Sequence, residues 1–387
     1  MILGDWTHRR GDVGGGRAVA AEIDRARPKI AWTFRPRHGG NVDQVRIGGE
    51  RVYVATMAPG DPAAVGWEHA TVYALEVETG RVAAKRELPD PVPVAAMIID
   101  GATVHVLATR QGEPVFWYVL DAFDLKPRHR RAITLGRTTG WDVLEAWASA
   151  DGGLWLELDG ADHGRRMYAF VKDETVTFAP RGKEAVDPDP SPRDACCVGH
   201  VLYAPSAGDW DSEGNGTPPS IWQLDPASDA DGSAPWALSE VTGPHSHAHA
   251  LASDGIVTVV AVADDPNDPG QTPLPWRGQP TPRALVQAMI VDRASGVVRA
   301  QSSVERFSTR GACEGARLAR RPNGELVFQC IDGEGRPTSD LVRVGASGDL
   351  AAYPLPKDSL LIDASLGDAI LAHSETRGGK VLVSALD

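Results

Sequence analysis

TVYALEVETGRVAAKREL (71–88) holds an apolar strand, a turn that ends in Gly80, and a second strand. The same order recurs in LVQAMIVDRASGVVRAQ (285–301) and DLVRVGASGDLAAYPL (340–355), within a repeat of about 50 residues. Each first strand is rich in β-branched residues and partly alternates, the pattern of a half-buried strand. Gly80, Gly296 and Gly348 supply the positive φ that a tight hairpin needs.

A second hairpin lies upstream of each such unit. Instances are VRIGGERVYVAT (45–56), AMIIDGATVHVLAT (96–109), ALASDGIVTVVAV (250–262) and RLARRPNGELVFQC (317–330). Gly48-Gly49, Asp100-Gly101, Asp254-Gly255 and Asn323-Gly324 are the hairpin signals. Centring the last turn on Asn323-Gly324 pairs Cys330 with Arg317. Two hairpins per unit make four antiparallel strands, which is one blade of a β-propeller. Inner strands begin near Val42, Val94, Asp142, Arg193, His247, Cys313 and Leu360. The expectation is therefore an all-β, seven-bladed β-propeller of four-stranded antiparallel blades. The last segment supplies only three strands, and KIAWTF (29–34) is a strand without a blade of its own. Placed beside the C-terminal strand, this N-terminal strand completes the last blade and removes an open edge. Residues 1–27 then form an N-terminal arm, and 28–387 a single propeller domain.

The composition agrees with many tight turns: Gly 41 and Pro 29 in 387 residues. The longest apolar run, Ile256 to Ala263, suits one buried strand, and no run approaches the roughly 20 residues of a membrane span. A net charge of -13 repels phosphate backbones and argues against nucleic acid as a partner. The first residues lack the charged start and apolar core of a signal peptide. As written, the chain is expected in the cytoplasm, or in the periplasm or outside the cell if a leader was removed before this numbering.

Tyr73-Ala74-Leu75, Thr79-Gly80, and Ala385-Leu386-Asp387 joined to Trp32 in space are short motifs with a common pattern, and Asp5-Trp6 and Arg10-Gly11-Asp12 open the chain. These resemble the repeats and lead-in of the quinoprotein-type (PQQ-like) β-propeller repeat family. That family includes quinone-dependent alcohol dehydrogenases and propellers that bind no cofactor, among them an outer-membrane assembly lipoprotein. The dehydrogenases usually have eight blades and a much longer chain. The resemblance implies one cofactor feature here: Cys196-Cys197 stands where a vicinal disulfide would face the quinone. The alternative is two small reduced residues on opposite faces of a strand. The family's other cofactor residues match no motif in this chain, so PQQ is not assigned.

His245, His247 and His249 alternate along one segment. Alternate side chains in a strand share a face at about 6.6 Å spacing. Imidazoles so placed can share a divalent metal such as Zn, Cu, Fe or Ni. Starts of other inner strands carry Glu145, Glu314 and Asp363, which would complete a mixed site at a mouth of the central channel. The alternative is a polar strand start with solvated histidines. Asp209, Asp211, Glu213 and Asn215, with Gly214 at the bend, resemble the first half of a calcium loop. Ser220 stands where the closing carboxylate belongs.

Two Pro/Gly/Asp-rich insertions, 208–220 and 264–283, read as surface loops of the fourth and fifth blades and carry Trp210 and Trp276. Exposed loop aromatics are typical interface anchors. No nucleophile elbow, phosphate loop or His-Glu-x-x-His motif occurs. The leading expectation is thus a non-catalytic scaffold with a protein or peptide partner. The alternative is an enzyme with a metal-dependent or quinone-type site at the channel mouth.

Overall fold

The computed structural model describes residues 29–36, 41–57, 69–109, 114–135, 142–159, 166–173, 175–179, 195–206, 209–210, 216–217, 220–227, 233–237, 247–253, 256–264, 284–292, 298–301, 315–320, 326–331, 341–344, 350–353, 359–366, 369–374 and 380–385. The arm 1–27 lies outside them. The described residues form seven four-stranded antiparallel sheets and one two-stranded ribbon, and none of them is helical.

The first sheet is Asn41–Gly48, Arg51–Met57, Ala70–Glu76 and Val82–Glu87. The second is Val94–Asp100, Thr103–Ala108, Val115–Asp121 and Pro127–Ile133. The third is Asp142–Ala148, Leu154–Asp159, Arg166–Lys172 and Thr175–Ala179. The fourth, fifth and sixth open with Cys196–Val198, His247–Ser253 and Gly315–Arg320. In the seventh, Ser359–Leu366, Ala369–Ser374 and Lys380–Ala385 are joined by Lys29–Phe34 as the outermost strand. The opening strands of successive sheets lie side by side, and those of the first and seventh sheets are also neighbours.

The core lies between sheets, not within one. Along Arg51–Met57, Val52 and Val54 pack toward Trp32 and Phe34 of the seventh sheet, while Tyr53 and Ala55 pack toward Met97, Ile99 and Val106 of the second. Both faces of a middle strand are therefore buried, which is why such strands read as nearly continuous apolar runs. The half-buried reading of 71–76 is corrected by this: Thr71 to Leu75 are all buried. The second and third sheets meet through Ile98, Leu107, Trp117, Val143 and Leu156. The third and fourth meet through Trp147, Trp155, Tyr168, Phe170 and Cys197. Each fully buried aliphatic or aromatic side chain contributes about 1.5–3 kcal/mol.

The turns between the third and outer strands of the first two sheets follow one plan. In the first sheet, Gly80 N–H donates to Glu76 O at 2.8 Å, with Gly80 at φ +67°. In the second, Leu125 N–H donates to Asp121 O at 2.9 Å, with Leu125 at φ +57°. The glycine of the first turn has a second reason. A Cβ there would come within 2.6 Å of the Trp32 ring, whose Nε1–H donates to Val77 O at 2.7 Å. Trp32 thus ties the outermost strand of the seventh sheet to a turn of the first. Gly296 and Gly348 lie outside the described residues.

The hairpin of the sixth sheet differs from the sequence reading by one residue. Cys330 pairs with Ala316, and Arg317 with Gln329. The last pair is Arg320 with Leu326, so the connection has an odd number of residues, and loop length sets the register.

Candidate functional site

The opening strands bring residues far apart in sequence to one region, and bulges shape it. Register shifts leave Asp43, Ala95, Leu144 and Ile362 as extra residues in the opening strands of the first, second, third and seventh sheets. A bulged residue drops out of its ladder and needs another partner. Gln44 Nε2 donates to Ala95 O at 2.7 Å, bridging the first and second sheets. In the same manner Gln329 Oε1 accepts from Leu361 N–H at 2.7 Å, bridging the sixth and seventh.

Asp43 accepts a hydrogen bond from the backbone of Val94, but its Oδ2 is buried without a hydrogen-bond partner. Burial pushes its carboxyl up to about 7, against the lowering effect of the Val94 bond. Three residues on, Arg46 is 2% exposed. Its guanidinium donates to its neighbour's carbonyl, Val45 O, at 2.8 Å and to Glu145 Oε1 of the third sheet at 2.9 Å. Glu145 also accepts from Ala146 N–H at 3.2 Å. Glu157 stands directly opposite Glu145 on the adjacent strand and is itself 3% exposed. A buried carboxylate tolerates such a place when a cation neutralises it.

Glu145 is therefore committed to Arg46, and a metal ion taken up beside it would compete with a guanidinium. His247 and His249 are alternate residues of the opening strand of the fifth sheet, opposite Val262 and Val260. Asp363 lies in the opening strand of the seventh, opposite Leu371. The side chains of these three, like that of Cys196, lie outside what is described, as do His245 and Glu314 entirely. Among the described residues, no group of three or more His, Cys, Asp or Glu is placed to hold a metal ion. Cys197 is a free thiol, fully buried between the third and fourth sheets. Its Sγ lies 3.7 Å from Gly199 O, and burial pushes its pKa up to about 12.

Asp209–Trp210 pairs with Gly216–Thr217 as a short ribbon within the insertion of the fourth sheet. The side chains of Asp209 and Trp210, and all of Asp211, Glu213, Asn215 and Trp276, lie outside the described residues.

A different surface appears at the perimeter. A groove of about 890 Å³ opens between the outer parts of the second and third sheets, lined by His129, Arg131, Ile133, Val171, Asp173 and Val176. Arg131 donates to Asp173 O at 3.3 Å and stacks 5.8 Å from the Trp117 ring centroid. Neither Arg46 nor this groove was singled out from the sequence. The available signal for Arg46 was an arginine inside the apolar pattern VDQVRIG (42–48), since a charge in a buried strand calls for a partner.

No protein-family model matches the chain, and no curated protein matches it by sequence. Solved structures do. The Dos1 propeller is similar with a TM-score of 0.51 at 10% identity, covering 99% of this chain and 96% of that one. BamB from Moraxella catarrhalis gives a TM-score of 0.43 at 13% identity, covering 92% and 99%. Quinohemoprotein alcohol dehydrogenase from Comamonas testosteroni gives 0.45 at 12% identity, covering 99% and 80%. The last two are PQQ-like β-propeller proteins. The likeness to the Dos1 propeller establishes the fold: an all-β propeller of four-stranded antiparallel sheets. Among the described residues no helix is long and apolar enough to cross a membrane.

Proposed function

We propose that the seven sheets are the blades of one closed ring, and that the ring is a non-catalytic scaffold holding a protein or peptide partner at its rim. The observation that carries the reading is the Arg46–Glu145 pair, buried between the first and third sheets. Side chains that cancel each other's charge inside the ring support a structural interior there, and so direct binding to the outside. The insertions 208–220 and 264–283, with Trp210 and Trp276, offer anchors on one rim. Cross-linking in the native cell followed by purification tests this. Co-purifying partners are the expected result. Recovery of the protein alone, together with turnover of a small metabolite, would sink the reading.

A second reading keeps a metal-dependent or quinone-type site at the channel mouth. It is favoured by one observation, that His247 and His249 are alternate residues of an opening strand. A visible absorption spectrum and a metal count on the purified protein separate the two readings. A colourless, metal-free protein removes the enzyme.

A further inference from the structure

The outer strands of the first two sheets are basic in a chain whose net charge is -13. Residues 81–87 carry Arg81, Lys85 and Arg86 against one acid, Glu87; residues 126–131 carry Lys126, Arg128, Arg130 and Arg131 against none. Lysines and arginines commonly guard sheet edges against aggregation. A general guard would recur on every outer strand, and it does not. The other outer strands, TVTFA, SAPWA, VRAQ, LAAY and KIAWTF, contribute only Arg299 and Lys29.

The two basic strands also differ from each other. On the second sheet the charges are mostly internal to the fold. Lys126 pairs with Asp124 at 2.6 Å, Arg128 with Asp121 at 2.5 Å, and Arg130 with Asp90 at 2.8 Å. On the first sheet, no carboxylate among the described residues pairs with Arg81, Lys85 or Arg86. Five of the six residues of Val82–Glu87 are exposed, and Val82, an apolar residue, is 51% exposed. Among the described residues the strand is hydrogen-bonded along one side only, to Ala70–Glu76. Among the described residues this edge has no further strand beside it and no carboxylate paired with its three cations, and it exposes a valine; such an edge matches an extended segment that has acidic and apolar residues in alternation. Backbone bonds would give such a segment its affinity, and the cations would set its charge.

We propose that the outer edge of the first sheet is a docking site for an acidic, extended polypeptide segment of a partner, which adds to Val82–Glu87 as a further strand. The proposal rests on the reading of the chain as a binding scaffold and names the chemistry of a partner.

The test uses the full chain and a fluorescein-labelled octapeptide of alternating Glu and Val, followed by fluorescence anisotropy at low salt. Saturable binding is expected, weakened about tenfold or more in the triple variant R81E/K85E/R86E, since each 1.4 kcal/mol lost is a factor of ten. The three side chains are exposed, so an unchanged circular dichroism spectrum and melting temperature should accompany the loss. A peptide N-methylated at alternate residues keeps its charge but cannot pair as a strand, and is expected to lose binding. Absence of saturable binding, equal binding by the triple variant, or equal binding of the N-methylated peptide overturns the proposal. So does a concentration-dependent dimer abolished by the triple variant, which would make a second copy the occupant, or tighter binding of a DNA duplex. If native-cell cross-linking recovers the same partners with the triple variant as with wild type, the edge fails while the scaffold reading stands. Recovery of partners with wild type alone supports both.

Discussion

Arg46 in the first sheet and Glu145 in the third lie 2.9 Å apart, with side chains 2% and 7% exposed. The contact passes over the second sheet and joins residues 99 positions apart in sequence. Removing one partner takes away a charge that neutralises the other inside the fold. Arg46→Met or Glu145→Leu alone is expected to cost about 3–5 kcal/mol, and the two changes together far less than the sum of the two. Urea unfolding of the two single variants and the double variant checks this. Additive losses would mean that the pair is not coupled.

Gly80→Ala meets two obstacles, the left-handed backbone at φ +67° and the Trp32 ring at 2.6 Å from the new Cβ. The expected loss is about 2–4 kcal/mol, combining the backbone cost with overpacking. In a Trp32→Ala background only the backbone share, about 1 kcal/mol, should remain. Thermal melts of the four proteins in this cycle report the coupling.

Two half-buried groups give stability opposite pH slopes. The Asp43 carboxyl is raised to about 7 in the folded protein by burial. The folded state therefore holds a proton that the unfolded state has released, and stability falls as pH rises from about 4 to about 7, by at most about 4 kcal/mol. Asp43→Asn should abolish that fall. His105 is shifted the other way: burial lowers its pKa, against the raising effect of Asp100. Its Nδ1 accepts from Trp117 Nε1–H at 3.0 Å, and Thr103 Oγ1, whose own proton goes to Asp100 O, lies 3.1 Å from Nε2. This is the neutral Nε2–H tautomer. Here the unfolded state binds the proton more readily, so stability is lost as pH falls below the ordinary histidine range, and His105→Gln should flatten that limb. Unfolding free energy measured from pH 4 to 8 separates the two.

The Cys197 thiol should be inert. With its pKa raised to about 12 by burial in the cluster that also holds Trp155, Phe170 and Leu202, it offers almost no thiolate at neutral pH. Labelling with iodoacetamide at pH 8 should leave it unmodified in the native protein and modify it in urea. Rapid native labelling would contradict this placement.

Deleting the first 36 residues removes Lys29–Phe34 and frees the edge of Lys380–Ala385. It also takes Trp32 from the turn at Val77 and Gly80. Aggregation is expected. A truncated protein as soluble and heat-resistant as the full chain would remove the structural role of this strand.

What the sequence made legible was local. The turn at Gly80, and strands opening at Val94, Asp142 and His247, follow from residues adjacent in the chain. The bulges at Asp43, Ala95 and Leu144 left no such mark, because one extra residue in a strand changes the register without changing its composition. Glu145 read as an open carboxylate because its partner lies in another sheet. Only the packing of sheets side by side brings Arg46 to it. Residues 126–131 carry four cations and no acid. The structure divides them into charges held by Asp90, Asp121 and Asp124, and Arg131, which faces a groove.

The pairing of Lys29–Phe34 with Lys380–Ala385 has a consequence for synthesis. Of the described strands, the first to leave the ribosome pairs with the last. At about 5–20 residues per second, roughly 20–70 s separate the emergence of the two. During that time KIAWTF is an apolar segment with no ladder to join, and the sheets already made end in an unfinished edge. The nascent chain therefore passes through its most vulnerable interval before Lys380–Ala385 emerges, when a holding chaperone would do the most good.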